Sequence, residues 1–186
     1  MKQGKVYIFT GDGKGKTSSA LGTVMRAVGN GMRVGWVAWY KQESWKLSEI
    51  NSLKKLDVEV YLMGKGFRFK KEEERRKELV DGSLVMDGVS EKEHKEMARK
   101  ALEKAEELLK KVDVLVLDEV NNAVDEELID VADLVSLISK RGSTHLILTG
   151  RDVNRRVVEM ADLVTECKKV KHPYDKGELA IKGLDF

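Results

Sequence analysis

The sequence predicts an α/β protein of three layers, with a mostly parallel sheet covered on both faces by helices. Three observations lead there. Short, continuous apolar segments alternate with amphipathic helical segments along the chain. The first apolar segment runs into a glycine-rich turn and then a helix. A later one, "VLVLDE", stops abruptly at two carboxylates.

Taken in order, "VYIF" (Val6 to Phe9) is β-branched and aromatic and reads as a buried strand. Lys16 to Gly29 reads as a helix with Leu21, Val24, Met25 and Val28 on its inner face, stopped by Gly29-Asn30-Gly31. Arg33 to Tyr40 and Val58 to Met63 are the second and third strands. Gly64 to Ser90 is polar, and its charge run "KKEEERRKE" reads as a solvated helix or loop. Glu91 to Lys111 is the clearest helix, with Met97, Ala101, Ala105 and Leu108 facing inward. Glu91–Lys95, Glu96–Lys100, Glu106–Lys110 and Glu107–Lys111 are spaced to pair along it. Val114 to Glu119 is a buried strand, followed by a helix within Glu126 to Ser139 and the strand His145 to Gly150. A short helix around Arg155 to Met160 leads to a last strand near Leu163 to Val170 and the tail "KHPYDKGELAIKGLDF".

With 186 residues and 41% hydrophobic content, the chain is expected to form one domain over residues 1–186 with a sizeable core. The net charge of +2 gives no electrostatic case for nucleic acid, and no apolar run is long enough to span a membrane. Met1 to Lys5 is too short and polar for a signal peptide, so the expected location is the cytoplasm. Cys167, the sole cysteine, rules out an internal disulfide and a cysteine-built zinc site, and is expected to be a small buried residue.

The glycine-rich turn carries the first functional signal. A P-loop follows the pattern G-x-x-x-x-G-K-[ST]. The matching window is Thr10-Gly11-Asp12-Gly13-Lys14-Gly15-Lys16-Thr17, with Thr10 in place of the first glycine and Ser18 just beyond. Gly11, Gly13 and Gly15 let the backbone turn tightly and aim N–H groups at an anion. The helix beginning near Lys16 adds its positive dipole end. Lys16 supplies charge for a phosphate, and the Thr17 hydroxyl a ligand for Mg²⁺ or Mn²⁺.

The second signal is Asp118 and Glu119 at the end of an apolar strand, where a Walker-B metal site requires carboxylates and where open α/β sheets bind ligands. Together the two motifs predict a P-loop NTPase fold that binds a nucleotide. The histidines give no third signal. His94 lies in the charged helix and reads as a solvated residue, and His145 begins a buried strand and reads as structural. No histidine–carboxylate–nucleophile set can be read from the spacing, so the chemistry is expected to come from a bound partner molecule.

Three segments together resemble the ATP:corrinoid adenosyltransferases of the cobalamin pathway, CobA type. They are "TGDGKGKTSSALGTVMRAVGNGMRV", "VLVLDEVNNAV" and "LTGRDVNRRVVEMADLVTECKKVKHPYDKGELAIKGLDF". The resemblance runs from about Val6 to Phe186, is weakest between Lys41 and Glu91, and is most specific in the last segment. The family's loop commonly has threonine where Thr10 stands.

This resemblance implies a RecA-like P-loop domain acting as a homodimer. The implied reaction is attack of a Co(I) corrinoid on the 5′ carbon of ATP, with triphosphate expelled. Cobalt is then the nucleophile, and the protein contributes position and electrostatics. Thr17 and Glu119 become the implied metal contacts, with Asp118 beside them. The family is described as holding ATP in the reverse sense along the loop. Phe67 and Phe69 of "GFRF" stand where family aromatics displace the lower axial ligand of cobalt and ease its reduction. Arg26 on the first helix and Arg151 after "LILTG" are implied nucleotide contacts. Electrons would come from a flavodoxin-type or other reductase.

"KHPYDKG" is implied to help close the site or the dimer. Some family members carry an N-terminal segment over the corrinoid. Here Met1 to Lys5 precede the first strand, so closure is expected from elsewhere, such as Gly64 to Ser90. Two other classes stay open on sequence grounds. A small-molecule P-loop kinase would use "ERRKE" (Glu74 to Glu78) as a lid and release ADP. A corrinoid escort would bind ATP without turnover. A thymidine-kinase-like zinc enzyme is disfavoured by the single cysteine.

Overall fold

The computed structural model describes residues 2–66, 79–80, 83–84 and 89–185. Its strands are β1 (Val6–Thr10), β2 (Val34–Ala38), β3 (Glu59–Leu62), β4 (Leu79–Val80), β5 (Ser83–Leu84), β6 (Val114–Asp118), β7 (His145–Thr149) and β8 (Leu163–Glu166). The helices are α1 (Lys16–Gly29), α2 (Ser48–Lys55), α3 (Glu91–Leu108), α4 (Val120–Asp125), α5 (Val131–Ser139) and α6 (Arg155–Val158), with 3-10 turns at Glu43–Trp45 and Pro173–Lys176. Six strands form one sheet in the order β3-β2-β6-β7-β1-β8, and β4 and β5 form a separate antiparallel ladder. Every pair in the large sheet is parallel. The expected sheet is therefore wholly parallel. β7 lies between the strand of the glycine loop and the strand of the carboxylates, a RecA-like order.

Alternation along β6 builds the three layers. Leu115 and Leu117 join the core beneath α3 and α5, with Ala101, Ala105, Leu108, Leu134 and Ile138. Val114 and Val116 join the opposite core beneath α1 and α2, with Ala20, Val24, Ile50 and Leu53. Because all strands are parallel, their carboxyl ends share one edge of the sheet. The loops after β1, β2, β6 and β7 meet there.

Several local expectations are corrected. The buried line of α1 is Ala20, Val24 and Ala27, while Met25 is 65% exposed. The helix seats its small residues on the sheet, and Met25 points to its side. In α3 the inner stripe is His94, Ala98, Ala101, Ala105 and Leu108, so His94 is buried rather than solvated, and Met97 sits at the margin. His94 is one turn before Ala98 on the same face.

Glu91–Lys95 and Glu96–Lys100 pair as expected, at 2.9 and 2.7 Å. The helix ends at Leu108, however, and the turn that would present Lys110 and Lys111 is absent. Glu106 instead reaches Lys140, at the carboxyl cap of α5, and Glu107 reaches Lys104. The start of α3 carries a capping box between Ser90 and Glu93 that the pattern reading passed over. α2 and α4 were also not expected, and the last strand stops at Glu166 rather than continuing toward Val170.

Leu115 is fully buried at the centre of β6, between β2 and β7. Leu115→Ala is expected to cost about 2–5 kcal/mol, read as a lower denaturant midpoint at unchanged slope.

Candidate nucleotide site

The loop between β1 and α1 is shaped from behind by the segment following β8. The Gly13 N–H donates to the Cys167 carbonyl at 2.6 Å, and the Cys167 N–H donates to the Thr10 carbonyl at 2.7 Å. The Lys169 N–H donates to Asp12 Oδ1 at 3.0 Å, and this bond holds the Asp12 carboxyl below its ordinary value. A Cβ on Gly11 would lie 2.5 Å from the Cys167 carbonyl oxygen, and one on Gly13 would lie 2.6 Å from the backbone of Lys168. These glycines admit a neighbouring backbone. The Gly13 N–H is thus committed to that neighbour rather than aimed at an anion. Cys167, half-buried, matters through its backbone.

Lys16 is 8% exposed, and its ammonium donates to the carbonyls of Gly11 and Gly13, both at 2.9 Å. Burial pushes its pKa below the ordinary lysine value, against the pull of Glu119. The amino end of α1 has no side-chain cap and no acidic residue in its first turn. Its leading N–H groups therefore face the loop as an anion site. Lys14 is exposed and turns outward to the tail, where its Nζ meets the Leu184 carbonyl at 3.1 Å and the Asp185 carboxylate.

The carboxylates lie on the far side of β7, at the end of β6. Asp118 is fully buried. Its Oδ1 accepts from the hydroxyls of Thr17 at 3.2 Å and Thr149 at 2.8 Å, and its Oδ2 pairs with the Lys41 ammonium at 2.8 Å. Lys41 also meets Glu49 of α2 at 3.1 Å. Burial opposes the charge on Lys41, but the two carboxylates outweigh it and hold its pKa above the ordinary value.

Glu119 adopts left-handed backbone, φ 62°, an uncommon geometry for a residue other than glycine. Its N–H donates to Thr149 Oγ1 at 2.8 Å. Burial first, and the Asp118 charge second, push its pKa up to about 7, against Lys41, Lys16 and Arg151. With its proton given to Asp118, the Thr17 hydroxyl keeps lone pairs for a cation, and the Glu119 charge is one a cation would relieve. Thr17 and Glu119 fit a hard divalent ion, while the Asp118 oxygens are already occupied.

Arg151 follows β7, its N–H held by Asn122 Oδ1 at 2.8 Å, and its charge acts on Asp12, Lys16 and Glu119. It belongs to the cradle's surroundings. Arg26 does not: it sits ten residues along α1 from Lys16, about 15 Å by helical rise. It lines a groove with Lys5, Asn30 and His145 at the amino ends of the strands. Ser18 faces a cavity of about 830 Å³ bounded by α1, α2 and the tail, which Thr17, Lys41 and Glu49 also line. Phe67, Phe69 and the segment Glu74 to Glu78 lie outside the described residues. Lys41, Glu49 and Thr149 join the site without being among the residues expected there. Thr149 ends the strand "HLILT" beside the carboxylates and could have been noticed, whereas Lys41 carries no motif.

This loop, lysine and carboxylate hub on a parallel sheet define a P-loop nucleotide-binding protein. The profile of the family described as ATP:corrinoid adenosyltransferase BtuR/CobO/CobP matches residues 2–186, and the chain belongs to that family. It is 33% identical to the corrinoid adenosyltransferase CobA of Salmonella typhimurium over all of this chain and 87% of that protein. The corrinoid adenosyltransferase of Escherichia coli is 31% identical over all of this chain and 87% of that protein, and that of Pseudomonas aeruginosa is 32% identical over all of this chain and 85% of that protein. Among solved structures, a KaiC-like protein of Pyrococcus horikoshii aligns with 93% of this chain and 76% of its own at a TM-score of 0.48 and 15% identity. Among the described residues no helix is long and apolar enough to cross a membrane.

Two outcomes are expected. Gly13→Ala forces a methyl against backbone and should cost about 1–3 kcal/mol while weakening nucleotide binding, read by thermal unfolding and calorimetry. The raised pKa of Glu119 means the folded state holds more protons than the unfolded one between its ordinary value of 4.5 and about 7. The ionised group thus costs stability that is absent below that window and fully present above it. Glu119→Gln should melt higher than the parent at pH 8, by a gap worth roughly 1–3 kcal/mol that narrows as the pH falls toward 5.

Proposed function

We propose that this protein transfers the 5′-deoxyadenosyl group of ATP to the Co(I) centre of a corrinoid, releasing triphosphate, in adenosylcobalamin biosynthesis or salvage. Membership of the adenosyltransferase family along the whole described chain carries this reading. In the reaction the cobalt electron pair forms the bond to the 5′ carbon, and the bond from that carbon to its oxygen breaks. The oxygen leaves with the electron pair as part of triphosphate. No proton has to be removed from the nucleophile, which suits a site built from a lysine, N–H groups and carboxylates.

Lys16, the amino end of α1 and Arg151 take the charge that gathers on the leaving group. A bound Mg²⁺ or Mn²⁺ would supply further positive charge there, held by Thr17 and Glu119, with Asp118 orienting Thr17. Thr10 to Gly15 shape the backbone around the phosphates. Phe67 and Phe69 are proposed to displace the lower axial ligand of the corrinoid, and a flavodoxin-type or other reductase to supply the electron. We place the enzyme in the cytoplasm as a homodimer. The exposed β8 edge (Leu163, Val164) and the exposed tail residues Leu179, Ile181 and Leu184 support an assembly.

Incubation with ATP, Mg²⁺ and chemically reduced cobalamin should yield a light-sensitive cobalt–carbon product. Lys16→Ala should lower that rate by about 100-fold or more, through lost stabilisation of the leaving group. Absence of product with the parent protein refutes the reaction, and full activity in Lys16→Ala refutes the role of the cradle.

A further inference from the structure

Lysine is almost never buried unless paired, and Lys41 is 9% exposed with two carboxylates on one ammonium. One partner, Asp118, orients the Thr17 hydroxyl. The other, Glu49, belongs to α2, which walls the 830 Å³ cavity beside the cradle. That cavity is faced by apolar groups such as Leu21, Met25, Trp45 and Leu53, with Ser18, Ser48 and Ser52 among its polar groups. The backbone of Lys41 is braced as well. Its carbonyl accepts from the Gly64 N–H at 3.0 Å, and the Tyr40 carbonyl accepts from the Gly66 N–H at 3.1 Å. Gly64 packs so closely that a Cβ there would overlap the Tyr40 backbone. The residues just before Phe67 therefore hold Lys41 in place. An apolar side chain would fill this volume at lower desolvation cost, so the ion trio calls for a role beyond filling space.

We propose that Lys41 is a positioning residue that ties the α2 wall of the cavity to the Asp118 hub, so that the set of α2 determines how well Thr17 is oriented toward a cation on the nucleotide. The Lys41 ammonium is taken up by two carboxylates. It acts by holding Asp118 from one side and Glu49 from the other. The proposal rests on the ATP-binding part of the function above and not on its corrinoid part.

The test is calorimetry of ATP binding with and without Mg²⁺, alongside thermal unfolding, for the parent, Lys41→Met, Lys41→Arg and Glu49→Ala. Lys41→Met should lose about tenfold or more of the affinity gained on adding Mg²⁺, with metal-free ATP binding little changed. Lys41→Arg, which keeps the charge, should recover most of that gain. Glu49→Ala leaves the Lys41–Asp118 pair in place and should lose part of the gain, less than Lys41→Met. A Lys41→Met protein that melts lower but keeps the whole Mg²⁺ gain overturns the proposal. If Lys41→Met does not fold, Glu49→Ala decides. A reduced gain supports the link to α2, and an unchanged gain overturns it. No corrinoid enters these measurements, so a failure of adenosyl transfer and a failure of this proposal remain distinct.

Discussion

A single buried carboxylate organises the carboxyl edge of the sheet. Asp118 has no access to solvent, and an ionised carboxylate in that position is tolerable only with several partners. It collects three, from three chain segments: Thr17 after β1, Lys41 after β2, and Thr149 at the end of β7. The parallel topology makes this possible by placing the carboxyl ends of β1, β7, β6 and β2 side by side. The need to satisfy Asp118 thus fixes the glycine loop relative to α2. It also separates two adjacent carboxylates into different roles. Asp118 is paired and internal, while Glu119 sits on left-handed backbone with its pKa raised by burial and by the Asp118 charge.

The second constraint comes from the far end of the chain. The segment after β8 runs behind the glycine loop and closes it with the Gly13–Cys167, Cys167–Thr10 and Lys169–Asp12 hydrogen bonds. The loop's glycines are therefore needed on both sides: toward a ligand for tight turning, and toward residues 166–169 for close backbone approach. The tail then returns to Lys14 and walls the cavity. A pattern of sequence agreement that extends from the first strand to the last residues has a structural counterpart here, because both ends of the chain build the same cradle.

The features most legible in the sequence were those with a period or a motif. Buried strands, the long charged helix and the lysine at the end of the glycine loop all follow from local patterns. What could not be read was set by partners distant in sequence. Nothing near Lys41 announces that it will be buried against Asp118, 77 positions later in the chain. His94 looked solvated because its neighbours are charged, yet it lies on the inner stripe through Ala98 and Ala101. Met25 looked buried because it is apolar, yet α1 packs through alanines and leaves it at the cavity. The pairs expected at the end of α3 failed because the helix stops one turn early and Glu106 finds Lys140 at the carboxyl cap of α5.

In the proposed reaction the loop holds triphosphate as a leaving group and the 5′ carbon is what reacts. Phosphorus NMR of a turnover mixture containing ATP, Mg²⁺ and chemically reduced cobalamin tests this directly. Inorganic triphosphate accumulating in step with the cobalt–carbon product is the predicted result. ADP in its place, with the acceptor phosphorylated, would contradict it.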